Sequence, residues 1–447
     1  MKRSTWILLA MVALLASFIA LWERKQPSTE QIAERRNRLV DFKPDQVAQL
    51  SRSGQGAVSL VKEKGGGWRL SQPVDDAADR YGVEGFLDRI SKSTVLRWVE
   101  PTASEAQLGL SPPRAVWALK GPTKPVVLDV GAKAPLDEGL YVRIGGRTAL
   151  VAPDLESLLL EPVSSFRSKD LLTVGTADIQ SLKVVRGGAE TLGLSRDSTG
   201  GWTVTAPFSD RGDTNRIENL LDDISLCPVD QYVSDKPADL STYGLDPPST
   251  DILVTAKGQS IEAKLGKAVP GGSPEKRLVY AWVSNRPSVM AVSLNSLKSL
   301  DQDPEKLRSM NLISHDFYDV QEIGVSGLYT LALKRDEKLG WVFSQPKVPP
   351  KGAQASILAD GLSSLRGERA VPLTEPGKLG LSPPPAVTIT FQGKGFSDRV
   401  ELGRDSSGTW YAHPAKRSVA LVLPEQAWGK IVASFTLVKG GPKAGTK

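Results

Sequence analysis

The chain has 447 residues, of which 40% are hydrophobic and 24% charged, and this is the composition of a folded protein. At about 150 residues per domain, the length predicts about three domains. The net charge of +6 arises from 56 basic and 50 acidic residues, an excess too small for a nucleic-acid-binding surface. Two histidines and one cysteine exclude an intramolecular disulfide, a cysteine-based zinc site and most histidine-rich metal centres.

An apolar run near the N-terminus predicts a membrane anchor. It follows a short basic segment, residues 1–5, and covers residues 6–22, which begin and end with tryptophan and include only Ser17 as a polar residue. As a helix, this run spans roughly 25 Å, and tryptophan suits both interfaces of a bilayer. A cleaved signal peptide is the alternative, but both candidate cleavage sites place Phe18 where a small residue is required. We therefore expect one uncleaved transmembrane helix.

Two signals oppose each other on the orientation of this anchor. Five basic residues follow the run and only Lys2 and Arg3 precede it, which by count alone places the rest of the chain in the cytoplasm. Acidic residues are interspersed among those five, however, and long domains cross a membrane largely regardless of such charges. We therefore expect a single pass of the inner membrane, with a charged stalk at residues 23–41 and the bulk of the chain in the periplasm.

Three segments share a tryptophan–proline motif, which predicts a tandem repeat. In each segment a proline follows the tryptophan by five residues, and the pairs are Trp68 and Pro73, Trp202 and Pro207, and Trp341 and Pro346. The residue two positions after each tryptophan is also apolar and shares its strand face, so we expect the tryptophans in the core. The proline ends the strand because it has no N–H to donate.

Two further motifs follow in the same order in every copy. The sequences LGLSPP, YGLDPP and LGLSPP, which begin at Leu108, Tyr243 and Leu379, place their central glycine 41, 42 and 39 residues after the tryptophan. A strand that ends in glycine comes 22 or 23 residues later, at Gly131, Gly266 and Gly403. A glycine between two large apolar residues suits a turn whose flanks enter a core, and the prolines keep the preceding residue extended.

The segments between these motifs predict a helix and several strands in each copy. In the first copy, apolar residues recur at helical spacing from Val83 to Ile90, and Asp79 precedes them as an N-cap; Asp213 is its counterpart in the second copy. Short loops join the strands, which implies antiparallel pairing. The predicted fold class is α+β: three tandem repeats of a mostly antiparallel sheet with two helices each, behind one N-terminal transmembrane helix. The repeats cover residues 42–172, 173–313 and 314–436, and residues 437–447 form a disordered tail.

These motifs resemble a bacterial family, the domain of unknown function 4340. The resemblance rests on the tryptophan–proline motif, the glycine–leucine–proline motif, the strand that ends in leucine and glycine, and the tyrosine strand that begins at Tyr141. The segment SFRSKDLL from Ser165 resembles the ending of the family's domain; the second copy keeps it as LRSMNL from Leu307, and the third lacks it. The resemblance implies a single-pass bacterial membrane protein, encoded beside ABC-type transporter components of the gliding-motility auxiliary kind. It implies no catalytic residue.

Candidate catalytic residues are few, and each has a structural interpretation that we favour. His413 is the better general-base candidate, but we expect a half-buried histidine; His315 beside Asp316 suggests a His–Asp pair, but we expect a linker with a capping residue. Ser111 and Ser382 of the proline motifs correspond to Asp246 in the second copy, which indicates a turn acceptor rather than a nucleophile.

Other charged and aromatic positions are interpreted in the same way. We assign Asp75-Asp76 to a turn before a helix and Asp222-Asp223 to an exposed helix face. Arg211-Gly212-Asp213 spells an adhesion tripeptide, but its aspartate already serves as an N-cap. Arg167 and Arg308, each four residues before a leucine, are possible contacts between repeats.

Three functional hypotheses remain open at this stage. The first is a membrane-anchored, non-enzymatic interaction or auxiliary protein of an ABC-type transporter complex, without a catalytic site, metal or cofactor. The second is an envelope protein that binds glycan, lipid or peptide through exposed aromatic residues, with Trp98, Trp117, Trp282 and Trp428 as the residues to examine. The third, a hydrolase built around His413 or His315, is the least favoured.

Overall fold

The computed structural model describes residues 37–100, 104–121, 124–271 and 275–439. These residues form three mostly antiparallel sheets, one for each sequence repeat, which confirms the α+β class and the three repeats. The predicted transmembrane segment at residues 6–22 lies outside the described residues. No helix within the described ranges combines the length and the apolar character that crossing a bilayer requires.

The first repeat forms a nine-stranded sheet in the order β4-β3-β2-β1-β6-β7-β8-β9-β5. Its elements are β1 (Gln49–Gly54), β2 (Val58–Lys62), β3 (Trp68–Gln72), β4 (Asp76–Ala77), α1 (Arg80–Lys92), β5 (Val95–Trp98), β6 (Ala115–Lys120), β7 (Val126–Lys133), β8 (Leu140–Ile144), β9 (Arg147–Val151) and α2 (Leu155–Leu159). The two central strands, β1 and β6, pair antiparallel, and Leu50 lies opposite Leu119.

The second repeat has the same strand order, β13-β12-β11-β10-β15-β16-β17-β18-β14. Its elements are β10 (Ile179–Arg186), β11 (Ala189–Arg196), β12 (Trp202–Ala206), β13 (Asp210–Arg211), α3 (Thr214–Ser225), β14 (Val229–Ser234), β15 (Thr250–Ala256), β16 (Gln259–Ala268), β17 (Leu278–Val283) and β18 (Val289–Ser293). The second of the two helices expected in each repeat is a 3-10 helix here, Leu294–Asp301, with a non-helical residue at Leu297.

The third repeat has an eight-stranded sheet in the order β21-β20-β19-β23-β24-β25-β26-β22. Its elements are β19 (Val320–Gly327), β20 (Leu331–Asp336), β21 (Gly340–Gln345), α4 (Ala355–Ser364), β22 (Arg369–Pro372), β23 (Val387–Gly393), β24 (Phe396–Arg404), β25 (Trp410–Pro414), β26 (Val419–Val422) and α5 (Glu425–Lys439). The short strand seen as β4 and β13 has no counterpart where the sequence contains Pro349 and Pro350. Helix α5 continues beyond residue 436, and Val438 on its last turn is buried.

The helix predicted in the first repeat covers one face of the first sheet. The side chains of Val83, Phe86 and Ile90 are at most 2% exposed, as their helical spacing predicted. Asp79 caps the helix, since its carboxylate accepts a hydrogen bond from the Gly82 amide at 3.0 Å. Trp68 lies in the same core, which confirms its predicted place.

The tryptophans of the other two copies show how far this pattern extends. Trp202 is 1% exposed, whereas Trp341 is only partly buried and packs against the edge of the third core. The tryptophan motif therefore marks a core position in the first two repeats and a boundary position in the third.

The glycine–leucine–proline motif forms a turn that packs against the strand ending in glycine. Gly109 has φ +65°, and a Cβ atom there would lie 2.7 Å from the backbone nitrogen of Ala132. A Cβ atom on Gly131 would lie 2.5 Å from the Leu108 carbonyl oxygen. The two glycines therefore permit the close approach of two backbones, which explains why the motifs occur together. The proline motif contains a cis peptide bond in each repeat, as does the tryptophan–proline motif.

The chain divides into two compact units. Among the described residues, the first unit comprises residues 37–175 together with Ile224–Ser249 and Ile261–Leu297. The second comprises Thr176–Asp223, Thr250–Ser260 and residues 298–439. The first unit therefore combines the whole first repeat with part of the second, and the second unit combines the rest of the second repeat with the whole third.

The substitution Gly109→Ala tests the close approach in the first repeat. We expect it to lower the free energy of unfolding by about 1–2 kcal/mol, because a Cβ atom disfavours the left-handed backbone conformation. The close contact of that Cβ atom with Ala132 is expected to lower it by about 2 kcal/mol more. Gly145→Ala is the matched control, because Gly145 has φ +57° and a Cβ atom there would have no neighbour within 4 Å, so it carries only the first cost. Urea unfolding followed by tryptophan fluorescence measures both. Equal losses for the two variants would contradict the proposed role of the contact.

Candidate functional site

A buried carboxylate joins the first and second repeats within the first unit. Asp76 lies on β4, and its side chain is 0% exposed. Its Oδ2 accepts hydrogen bonds from Arg167 Nη2 at 2.8 Å and Arg286 Nη2 at 3.0 Å, and its Oδ1 accepts one from Arg286 Nε at 2.9 Å. Arg167 ends the first repeat, whereas Arg286 lies in the loop between β17 and β18 of the second. Asp76 therefore receives one guanidinium group from each side of the junction.

Both arginines also contact polar and aromatic residues of the second repeat. Arg167 donates from Nη1 to Asp235 at 2.6 Å and from Nη2 to Ser288 Oγ at 2.7 Å. Its guanidinium group also lies 3.4 Å from the ring centroid of Tyr232, whose hydroxyl accepts from Arg286 at 2.7 Å. The cluster thus contains two guanidinium groups and two carboxylates.

The electrostatics of the first cluster favour its charged form. Burial on its own raises the pKa of Asp76, but the hydrogen bonds and positive charges of Arg286 and Arg167 outweigh it and lower that pKa below its ordinary value. For Arg286, burial opposes the charged form, yet the bonds to Asp76 and Tyr232 raise its pKa above the ordinary value. The cluster is therefore an ion-paired structural contact rather than an acid or base poised near neutral pH.

A second cluster of the same design lies within the second unit, where the second and third repeats meet. Asp210 on β13 accepts hydrogen bonds from Arg417 Nε at 2.8 Å and Arg417 Nη2 at 2.7 Å, and another from Arg308. Glu305 pairs with Arg308 through two bonds of 2.8 Å. The pKa of Asp210 is lowered because these partners outweigh the effect of its burial. Arg308 stacks on the ring of Phe208, with 3.7 Å between its guanidinium carbon and the ring centroid.

The sequence contains a signal for these clusters, but it becomes visible only when equivalent positions of the repeats are compared. Each buried aspartate follows the motif proline by three residues, and the third repeat has Pro349 at that position. Arg286 and Arg417 each follow the tyrosine of the tyrosine strand by six residues. Asp75 has a 65% exposed side chain that pairs with Arg69, whereas Asp76 is buried, so the assignment of both to a turn is wrong for Asp76.

The arginines proposed as contacts do bind at the junctions. Arg167 contacts Asp235 of the next repeat, which confirms its predicted role. Arg308 instead binds Asp210 and Glu305 of its own repeat, and Arg417 makes the contact from the third repeat.

The histidines have structural partners. His413 is half-buried, as expected, and its Nε2 lies 2.9 Å from the Arg417 carbonyl oxygen. His315 stacks on Phe396 and places Nδ1 3.1 Å from Asp398, a partner that the sequence did not indicate. Asp316 caps a short 3-10 turn, as predicted. Neither histidine ring forms a hydrogen bond with a serine or threonine hydroxyl in the part of the chain that the structure describes.

The other candidates also take structural places. Ser111 and Ser382 lie on exposed turns, and Asp222-Asp223 lie on the exposed face of α3, as predicted. Asp213 accepts a hydrogen bond from the Arg216 amide at 3.2 Å, which confirms the predicted N-cap.

The tryptophans proposed for ligand binding divide into two groups. Trp117 and Trp428 are at most 2% exposed, so they are core residues and the expectation of exposed rings is wrong for them. Trp98 is 36% exposed, and Trp282 is partly buried beside Lys264. Trp98 therefore remains the most exposed ring of the four.

The second repeat uses one face to contact the first repeat at the first junction. The first repeat has an equivalent face, and that face is exposed. Trp98 on β5 pairs with Ala149, just as Tyr232 on β14 pairs with Met290. Arg147 lies exposed over the Trp98 ring, 3.8 Å from its centroid. The hairpin between β8 and β9 turns at two glycines, so it is shorter than the loop that carries Arg286.

The segment that leads into the first repeat also resembles the linkers between repeats. The Leu39 amide donates to the Ser93 carbonyl at 2.9 Å, as the Leu171 amide donates to the Cys227 carbonyl at 2.8 Å. Arg35 stands four residues before Leu39 in the sequence, the spacing that Arg167 has from Leu171. Arg35 lies outside the described residues.

Comparison with known proteins places the chain in a family. The family model of the domain of unknown function 4340 matches twice, over residues 68–248 and 202–384. These overlapping matches span well over half of the chain, and the chain belongs to this family. No curated protein matches the chain. Among solved structures it is similar to a DNA polymerase sliding clamp from Pseudomonas aeruginosa, with 9% identity, coverage of 87% of this chain and 94% of that one, and a TM-score of 0.17. A TM-score this low carries no information on function.

The variant Asp76→Asn tests the first junction. We expect it to lower the free energy of unfolding by about 3–5 kcal/mol, because two buried guanidinium groups lose their shared counter-charge. The neighbouring variant Asp75→Asn removes only an exposed ion pair and is expected to change it by about 1 kcal/mol or less. Hydrogen exchange of the first unit, measured by mass spectrometry, reports both values. A loss for Asp76→Asn no larger than that for Asp75→Asn would show that the cluster does not stabilise the junction.

The same carboxylate predicts a dependence of stability on pH. Because the pKa of Asp76 is lower in the folded protein than in the unfolded chain, its contribution is complete well above about pH 4 and is lost as the pH falls through the folded pKa. Burial raises the pKa of Asp170 nearby, which acts in the opposite direction, so the wild type and Asp76→Asn are compared. Their difference in unfolding free energy is expected to shrink from pH 6 to pH 3 in urea titrations. A constant difference would contradict this assignment.

Proposed function

We propose that this protein is a membrane-anchored, non-enzymatic interaction protein that is exposed to the periplasm and associates with an ABC-type transporter complex. The apolar run of residues 6–22 supports the anchor, and the basic residues before it suit an exported chain. The membership of residues 68–384 in their family, whose resemblance implies a neighbouring transporter, supports the transporter as the partner. The structural role of each candidate catalytic residue supports a protein that binds rather than catalyses.

One observation carries the interaction part of the proposal. The first repeat presents Trp98 and Arg147 on a face whose counterpart in the second repeat binds its neighbour. We call these two residues the leading face. A tryptophan stacked under arginine offers large apolar area together with fixed donors, and both residue types are enriched where binding energy is concentrated.

The chemistry of the partner follows from the first junction. There the corresponding face of the second repeat receives a carboxylate, Asp76, through Arg286. Arg147 has no ion pair within 4.0 Å among the described residues. We therefore expect a partner subunit that presents an acidic side chain beside an apolar surface.

Purification of the tagged, full-length protein from its own membranes in mild detergent tests the proposal. The expected result is stoichiometric recovery of a transporter permease or ATPase subunit, identified by mass spectrometry. Arg147→Glu and Trp98→Ala are each expected to reduce that recovery at least about ten-fold, the effect of losing one central interface residue. Arg97→Glu is the matched control, since Arg97 is exposed on the same strand but its charge pairs with Glu138 at 3.9 Å.

Two results would contradict the proposal at different points. A wild-type protein that purifies alone would overturn the association with a transporter. Recovery of the same subunit with Arg147→Glu and Trp98→Ala at wild-type yield would keep the association but remove the leading face as its contact.

A further inference from the structure

The two junction clusters differ in their number of positive charges. The residue after the buried aspartate is Ala77 in the first repeat and Arg211 in the second. Arg211 adds a third guanidinium group to the second junction. Burial, followed by the charge of Arg417, lowers the pKa of Arg211 to about 10, although the charges of Asp398 and Asp210 act in the opposite direction.

The carboxylates in this part of the second unit are engaged elsewhere. Asp210 binds Arg308 and Arg417, and Asp213 caps α3. Asp398 accepts hydrogen bonds from the backbone amide of Ser314 at 2.7 Å and from that of His315 at 3.3 Å.

Two arginines are left without a carboxylate. Within the described residues, Arg211 and Arg366 form no ion pair within 4.0 Å. The Arg211 side chain donates to the Asn311 carbonyl oxygen, but its Nε is buried without a partner, as is Arg417 Nη1. Arg366 donates from Nη1 only to the Ser363 carbonyl, at 3.1 Å.

These two arginines line one cavity of about 260 Å³ within the second unit. The other polar residues that line it are Thr214, Asn215, Ser309, Asn311 and Ser314. The cavity has one acidic residue, Asp213, whose carboxylate accepts from the helix backbone. Guanidinium, hydroxyl and amide groups are donor types that suit an oxyanion such as phosphate.

We propose that this cavity binds a phosphate group carried by a small organic molecule. The phosphate supplies the negative charge that Arg211 and Arg366 lack, and the volume leaves room for a few further atoms. The corresponding cavity of the first junction offers an internal comparison. It has Ala77 in place of Arg211, and its walls carry three acidic and three basic residues; these are Glu63, Asp79, Asp170, Arg69, Arg80 and Lys169. That balance gives it no preference for an anion. The proposal does not depend on the transporter association.

Isothermal titration of the full-length protein in a nonionic detergent tests this site, with inorganic phosphate and glycerol 3-phosphate as probes at constant ionic strength. Both are expected to bind, and glycerol 3-phosphate more tightly, because it fills more of the cavity. Arg211→Ala and Arg366→Ala are each expected to weaken binding at least about ten-fold, the effect of losing one charge-assisted hydrogen bond. Arg80→Ala, which alters the first-junction cavity, is the matched control and is expected to leave the affinity unchanged.

The same variants are also tested for correct folding. Arg366 is exposed and Arg211→Ala introduces the residue found at the equivalent position of the first repeat, so both variants are expected to keep the wild-type circular dichroism spectrum. Three outcomes would overturn the proposal: no binding of either phosphate probe, equal affinity for acetate and phosphate, or unchanged phosphate affinity in both arginine variants. Weakened binding in only the Arg366→Ala variant would also overturn it, because the excess charge comes from Arg211.

Discussion

A carboxylate buried away from water is unfavourable unless positive charge and hydrogen-bond donors compensate it. Asp76 and Asp210 meet this requirement in the same way, with one guanidinium group from the end of their own repeat and one from the next. Neither aspartate is fully compensated until two repeats have docked. The interaction therefore links the folding of each repeat to its contact with the following one.

The parts of the fold that depend on local sequence were predictable. Helical spacing located Val83, Phe86 and Ile90 on the buried face of α1, and the central glycine of the proline motif located a turn with a left-handed residue. Two helices were expected in each repeat, and the second helix of the second repeat is a 3-10 helix, because apolar spacing over so short a segment does not distinguish an α-helix from a 3-10 helix.

The junction clusters were beyond such local signals. Asp76 lies 91 residues from Arg167 and 210 residues from Arg286, and only the strand order of the sheets brings them together. Trp117 was misjudged for a different reason. It alternates with Ala115 and Leu119 along β6, and this period of two indicates burial, so its place in the core could be read from the sequence. The buried aspartates can be recognised in the sequence only when equivalent positions of the repeats are compared.

The two junctions keep the same ionic centre and vary what surrounds it. Tyr232 lies under Arg167 and reaches Arg286 with its hydroxyl in the first, whereas Phe208, which has no hydroxyl, lies under Arg308 in the second. Asp235 and Ser288 complete the first cluster from the incoming repeat, and Glu305 completes the second from the same turn as Arg308. The charged centre is therefore common to both junctions, and the residues that complete it differ from one junction to the other.

Pro349 stands where the first two repeats have their buried aspartate. The absence of an aspartate at this position limits where a further repeat can be added to the chain. A gene duplication that copied residues 173–313 in tandem would place Asp210 of one copy against Arg286 of the next. Every buried charge at that new junction would then have an opposite charge beside it. A copy of the same segment inserted after the third repeat would instead bring Arg286 against a proline and leave a cation buried alone. A further repeat can therefore be added in the middle of this chain during evolution, but not after its third repeat.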